Sequence, residues 1–292
     1  MKILVTGGSG FIGRNVVEYL TKKYEVLSPT HRELELLDED AVRLFLEKQA
    51  VDVVIHCAVK PGHRNAKDPT NQLYVDTRMF FNLARNTDLF QKLICISSGA
   101  VYDVRHNMTK ISEEYFYTHM PVDEHGLFRY IAAKYIEKAE HIIELRPFSV
   151  FGKYEDYAIR FISNAICKTL FDLPITINRN RRFDFIYMDD LARVIDYFIG
   201  KEGKFKCYNV TPDEAMELRA IAEKVREISG KDLPILIAQD GMGLEYSGDN
   251  QRLRREIPGL SFTPIDQAIH QLYDWYASNR HLLNREFLLV DK

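Results

Sequence analysis

The chain has 292 residues, 46% of them hydrophobic and 28% charged, with a formal net charge of −3. That is enough apolar material for a sizeable core, and it excludes a disordered chain. The near-neutral charge excludes nucleic acid as a bulk electrostatic partner, and no apolar run reaches the length of a membrane span.

Lys2 to Val5 is a short run of β-formers that stops at Gly7 and Gly8. From Phe11 the spacing becomes helical, with Phe11, Ile12, Val16, Val17 and Leu20 on one stripe. A buried strand therefore meets a helix through a glycine-rich turn. Such a turn leaves backbone N–H groups free at a helix N-terminus, where the macrodipole favours an anion. Gly7, Gly10 and Gly13 suit a tight turn, close approach of a pyrophosphate, and close packing of helix on strand. The context of strand, glycine turn and amphipathic helix reads as a dinucleotide site that also takes in Phe11 and Ile12. The first residues already form a core strand, so no signal peptide is expected.

Glu25 to Ser28 reads as the second strand. An acid near its end would bind a ribose 2′-OH, but the sequence there is Ser28-Pro-Thr-His-Arg32. Arg32 offers a cationic fork for a 2′-phosphate, which favours NADP(H) over NAD(H). Asp38 suits either the adenine edge or the N-cap of the next helix. Val51 to Cys57 is a near-continuous apolar strand, as in a sheet covered on both faces. The loop leaving it carries Ala58, Lys60 and His63. Ligands of open α/β sheets bind outside such strand ends. There Ala58 would meet the cofactor, while Lys60 and His63 would meet a substrate phosphate or sugar, or simply water.

Helical spacing runs from Leu73 to about Leu89, and Lys92 to Ser98 forms the next buried strand. Tyr130 and Lys134 follow on a helix, one turn apart. A phenol is a poor acid–base at neutral pH, and a nearby ammonium favours its phenolate. The spacing itself says little, because Tyr19…Lys23 and Tyr197…Lys201 repeat it. Tyr130 alone follows a strand end bearing a serine, Ser98, whose hydroxyl would hydrogen-bond a substrate carbonyl.

Ile142 to Arg146 resumes β character. Beyond Gly152 the order loosens: helices at 154–170 and 214–229, with short strands around 175–177, 184–186 and 207–210. Asp189-Asp190 reads as an N-cap with dipole-favoured acids. Arg179, Arg181 and Arg182 form either a solvated turn or cations for a diphosphate. The last long helix is expected over 265–278, after Pro264. The four cysteines are far apart with no CxxC pair. They read as buried free thiols, with no metal site and a cytoplasmic default. No internal repeat is present.

Taken together, several stretches resemble the extended short-chain dehydrogenase/reductase family of nucleotide-sugar epimerases, dehydratases and reductases. They are Thr6-Gly-Gly-Ser-Gly-Phe-Ile-Gly13, Ser97-Ser-Gly-Ala-Val-Tyr102, Tyr130…Lys134, Leu145-Arg-Pro-Phe-Ser-Val-Phe-Gly152 and Phe185-Ile-Tyr-Met-Asp-Asp190. The resemblance implies an α/β fold: a Rossmann-type doubly wound parallel sheet with a smaller C-terminal α/β substrate domain. Residues 1–150 with about 184–210 would bind the dinucleotide, and about 151–183 with 211–292 would form the substrate cap. It implies Ser98, Tyr130 and Lys134 as the catalytic set, with Lys134 also on the cofactor, and a homodimer through the helices containing Leu83 and Tyr130. Dehydratases of the family carry an Asp-Glu pair where this chain has Gly99-Ala100. The stretch Leu27 to Asp38 is similar to GDP-fucose synthases. Ser149 and Asp76 stand where asparagines are usual, the first of them substrate-binding, and Phe183 stands where arginine is common. The reading that follows is an NADPH-dependent reductase of a nucleotide-linked 4-keto-6-deoxysugar. The alternatives are an NAD-dependent 4-epimerase and a dinucleotide-sensing binding protein.

Overall fold

The computed structural model describes residues 1–62 and 66–290. In chain order the elements are β1 (Lys2–Thr6), α1 (Phe11–Leu20), β2 (Glu25–Leu27), α2 (Glu39–Gln49), β3 (Val53–His56), α3 (Gln72–Ala84) and β4 (Lys92–Ile96). There follow β5 (Met108–Ile111), α4 (Glu124–Ile136), β6 (Ile142–Pro147), β7 (Ser149–Phe151), α5 (Phe161–Leu170), β8 (Ile175–Asn180), β9 (Arg182–Phe183), β10 (Phe185–Tyr187) and α6 (Met188–Gly200). The chain ends through β11 (Cys207–Val210), β12 (Met216–Glu217), α7 (Leu218–Ser229), β13 (Ile235–Met242), β14 (Tyr246–Gly248), α8 (Gln251–Glu256) and α9 (Ile265–Ser278).

Six parallel strands form the main sheet in the order β11-β6-β4-β3-β1-β2. Both faces are covered, so β3, β4 and β6 are buried along their whole length. One face packs on α1 and α6 through Val16, Leu20, Leu191 and Ile195. The other packs on α2, α3 and α4 through Val42, Leu46, Phe80, Leu83, Phe128 and Ile136. Strand order reverses between β1 and β3, and the crevice outside the strand ends at such a reversal is where ligands bind. This is the expected Rossmann-type fold.

A second core joins α5, α7 and α9 through Ile166, Cys167, Ile221, Val225 and Ile269. The boundaries between the two parts are less clean than expected. β5 leaves the first part and pairs with β14, in a sheet ordered β12-β9-β14-β5. Leu253 of α8, from the second part, is buried in the core around α1 and α6.

The helix expected over 154–170 begins only at Phe161. Tyr154 has φ +69°, and Arg160 is extended at the N-cap. Asp189 and Asp190 lie inside the first turn of α6 and do not cap it. Asp190 is buried, and it accepts the Thr263 N–H at 2.9 Å and hydroxyl at 2.7 Å. All four cysteines are free thiols, with Cys95 and Cys167 buried.

Candidate active site

The glycine turn is shaped by contacts that only hydrogen at Cα permits. Gly7 has φ +70°, and a Cβ there would lie 2.7 Å from the backbone N and Cα of Ala58. A Cβ on Gly13 would lie 2.2 Å from the Gly7 carbonyl oxygen. The turn therefore seats against the end of β3 and lets α1 begin flush with it. The Gly10 N–H donates to Gly7 O at 3.0 Å. No side chain caps α1, so its first N–H groups are left for an anion. Phe11 and Ile12 are half-buried and pack onto the sheet core. This cradle fits a dinucleotide pyrophosphate.

Arg32 is exposed, five residues beyond the end of β2. Asp38 is the N-cap of α2, accepting the Asp40 and Ala41 N–H groups at 3.0 Å each.

Ser98 ends the loop from β4 and caps the short 3-10 turn Gly99–Val101, its Oγ accepting the Ala100 N–H at 3.1 Å. In that bond Ser98 is the acceptor, so its hydroxyl proton points to an acceptor outside the 3-10 turn.

Tyr130 and Lys134 share a side of α4 that is turned toward Phe116. Lys134 is exposed and pairs with Glu137 at 3.0 Å, over the rings of Phe116 and Tyr117. The Tyr130 ring stacks on Phe116 with centroids 4.6 Å apart. The face of α4 on the sheet carries Phe128, Ala132 and Ile136, and the polar residues continuing that face are His125 and Arg129. This face is about 140° around the helix from Tyr130, at about 100° per residue. The i, i+4, i+8 run of Phe128, Ala132 and Ile136 is the sequence signal that could have phased the helix.

Arg129 is only 6% exposed. Its Nε–H donates to His125 Nε2 at 3.2 Å, and no described acid forms an ion pair with it. Burial and the Arg129 charge hold the His125 imidazole neutral, its pKa down at about 3. Gln72 of α3 links His125 Nδ1 (3.1 Å) to the Lys60 carbonyl (3.0 Å). Asp76 is fully buried and accepts the Lys60 backbone N–H at 2.6 Å. Burial raises its pKa to about 6, against the pull of that N–H and of Arg129.

Tyr246 reaches the same place from β14. A Cβ on Gly99 would lie 2.5 Å from its Oη. Its ring packs on Phe148 at 5.0 Å and Phe183 at 6.0 Å. Neither Tyr246 nor the His125–Arg129 pair was expected from the sequence.

The expected substrate residues divide. Lys60 Nζ is bound to Asp68 Oδ2 and to Thr70 O, each at 2.6 Å, so its charge is engaged within the loop. Arg182 donates to Ala215 O at 2.6 Å and lies 3.7 Å from Glu245, which holds it among the strands of the second part. Ser149 opens β7, half-buried and with no hydroxyl hydrogen bond to a described residue. His63 lies outside the described residues. No cluster that could hold a metal ion occurs among the described residues, and none of their helices is long and apolar enough to cross a membrane.

Comparison with known proteins agrees with this geometry. Residues 3–211 match the model of the NAD dependent epimerase/dehydratase family. A GDP-6-deoxy-D-talose 4-dehydrogenase of Aggregatibacter actinomycetemcomitans is 29% identical over 94% of this chain and 97% of its own. A GDP-L-fucose synthase of Azorhizobium caulinodans is 33% identical over 35% of this chain and 34% of its own. The solved structure of a GDP-mannoheptose C4 reductase from Campylobacter jejuni, with NADP bound, superposes with a TM-score of 0.81 at 20% identity, covering 94% of this chain and 98% of that one. The chain therefore belongs to the NAD-dependent epimerase/dehydratase family, the extended short-chain dehydrogenase/reductases, whose members are NAD(P)-dependent enzymes of nucleotide-sugar modification.

Proposed function

We propose that the protein reduces a nucleotide-linked 4-keto-(6-deoxy)sugar, using NADPH. The observation that carries this reading is the turn after β4. Ser98 presents a hydroxyl there, while Gly99 and Ala100 hold no acid or base for a dehydration. A ketone reduction needs only a hydride, one proton and a donor for the developing oxyanion. The bound dihydronicotinamide would supply the hydride. Gly7, Gly10 and Gly13, with the α1 N-terminus, would hold its pyrophosphate, Ala58 would border the dinucleotide, and Arg32 would hold the 2′-phosphate. Ser98 would donate to the carbonyl oxygen. Ser149 is the substrate-side hydroxyl left free for the sugar. The GDP-sugar reductases and dehydrogenases among the relatives support the same substrate class.

Two further expectations belong to this reading. The homodimer would form through α3 and α4, which leave Tyr74 and Tyr135 exposed. The four free thiols favour the cytoplasm.

The test is purified protein with NADPH and a panel of GDP-, UDP-, CDP- and dTDP-linked 4-keto-6-deoxysugars, followed by loss of dihydronicotinamide absorbance. Consumption with at least one member is expected. A panel that leaves NADPH untouched, with tightly held NAD released on denaturation, would replace the reductase by a 4-epimerase.

A further inference from the structure

The reduction proposed above asks for a phenol beside Ser98 and a permanent positive charge beside that phenol. On the helix expected to supply both, Tyr130 packs on Phe116 and Lys134 pairs with Glu137. The structure nevertheless brings such a pair together from distant parts of the chain.

β14 lies between β5 and β9, with Tyr246 opposite Met108 on one side and Phe183 on the other. This register directs the Tyr246 ring between Phe148 and Phe183, toward the turn after β4. Its Oη ends over Gly99, in space that a single methyl would fill. The Ser98 hydroxyl lies beside it and favours the phenolate by hydrogen bonding. Gly126, one turn before Arg129 on α4, lies against this turn, where a Cβ would be 2.8 Å from the Ala100 carbonyl oxygen, so the Arg129 charge is carried on the helix that abuts the phenol's turn. Burial lowers the guanidinium's pKa, and the Tyr246 phenolate raises it. Burial is the largest influence on the phenol and raises its pKa; Ser98, Arg129 and Arg160 pull against that rise, and Asp184 adds to it. Tyr246 as a residue is half-buried.

We infer that Tyr246 is the proton donor of the site, and that Arg129, held by His125, is the positioning charge that stabilises the phenolate left behind. This rests on the reductase reading. In the step, a bound dihydronicotinamide would supply the hydride to the carbonyl carbon as the C=O π bond opens. The carbonyl oxygen takes the Oη proton. Tyr246 is left as phenolate and regains its proton from water. The ketone is reduced to an alcohol, and the dinucleotide is oxidised by the same two electrons. Arg129 is never deprotonated, so it acts through charge alone. Gly99 then has a chemical meaning. Where dehydratases carry an acid, this chain carries the residue that admits a phenol.

The experiment uses the full chain in two arms. In the first, the protein is labelled with 3-fluorotyrosine, and the Tyr246 and Tyr130 resonances are assigned by Tyr246→Phe and Tyr130→Phe. NADP⁺ and Arg129→Lys should each shift the Tyr246 resonance, and leave that of Tyr130 in place. This arm needs no substrate, so it separates failure of the tyrosine assignment from failure of the reductase reading. In the second, with a keto-sugar that the parent consumes, Tyr246→Phe should lower kcat by about 100-fold or more. The NADPH dissociation constant should stay within about twofold, which also shows the variant folded. Tyr130→Phe should stay within about threefold of the parent. A Tyr246 resonance indifferent to both NADP⁺ and Arg129→Lys overturns the inference, as does a Tyr246→Phe enzyme as fast as the parent.

Discussion

The backbone N–H of Lys60 meets Asp76 Oδ1 at 2.6 Å, a hydrogen bond that ties the loop after β3 to the second turn of α3. The other carboxylate oxygen, Oδ2, is buried with no hydrogen-bond partner among the described residues. A carboxylate half-served in this way is costly when charged, which is why its pKa rises from 3.8 to about 6. Between those values the folded chain keeps a proton that the unfolded chain releases, so this group's contribution to stability falls as pH rises, and above pH 6 the full penalty is present.

Asp76→Asn keeps the acceptor for Lys60 and removes the charge. It should therefore stabilise the protein at pH 8 by about 1–3 kcal/mol, the size of a two-unit shift. At pH 5 the gain should shrink by about half. Urea midpoints at the two pH values measure it. A gain that is equal at both, or a loss at pH 8, would show that the carboxylate is not strained by burial.

His125 has the opposite sign. Its folded pKa of about 3 lies below the ordinary 6.5, through burial and the charges of Arg129 and Arg160. As pH falls below 6.5 the unfolded chain takes up a proton that the folded chain refuses, and stability is lost down to about pH 3. His125→Gln keeps an acceptor for Arg129 without the titration. At pH 5 it should be more stable than the parent by about 2 kcal/mol relative to their difference at pH 7.5. The same pair of urea curves decides it, and parallel pH profiles for the two proteins would refute it.

These two residues also show what the sequence could and could not yield. The glycine turn was legible because each constraint on it is local: a left-handed Gly7, a Gly13 pressed on a carbonyl, a helix starting at Phe11. The buried strands were legible from their apolar runs. The polar face of α4 was not, because a Tyr-x3-Lys spacing fixes that two side chains share a face but not which face meets the sheet. That phase is set by Phe128, Ala132 and Ile136 packing on the core, a tertiary fact. Tyr246 was hidden for a different reason. It sits on a three-residue strand whose partners, β5 and β9, are themselves too short to announce a sheet.

Arg32 and Asp38 separate cofactor choice from helix stability. Arg32 is exposed with its charge free of any described acid, as a fork awaiting a 2′-phosphate would be. Removing a charge-assisted contact of this kind weakens binding by about 1.5–3 kcal/mol. Arg32→Ala should raise the NADPH dissociation constant by about 10-fold or more and leave that of NADH within about twofold. Asp38→Ala should cost about 1 kcal/mol of stability through the lost cap and leave the NADPH-to-NADH ratio unchanged. Fluorescence titration with each dinucleotide and thermal melts read both effects. Equal losses for NADPH and NADH in Arg32→Ala would remove the 2′-phosphate from the argument.

Gly99 offers the sharpest geometric check. A methyl group there would press on Tyr246 Oη at 2.5 Å and on two atoms of the Phe148 ring at 2.8 Å. Overpacking of this kind costs about 1–3 kcal/mol, so Gly99→Ala should destabilise by that amount. In a Tyr246→Phe background the oxygen is gone and only the Phe148 contact remains. The same Gly99→Ala change should then cost about 0.5–1 kcal/mol less, a coupling that distant residues do not show. Tyr130→Phe is the control, because Tyr130 packs on Phe116, and it should leave the cost of Gly99→Ala unaltered. The single Gly99→Ala protein should also lose turnover while still binding NADPH, since the methyl moves the phenol oxygen and touches no glycine of the cofactor turn. An identical cost in both backgrounds would place the Tyr246 hydroxyl away from this turn, and with it the proton.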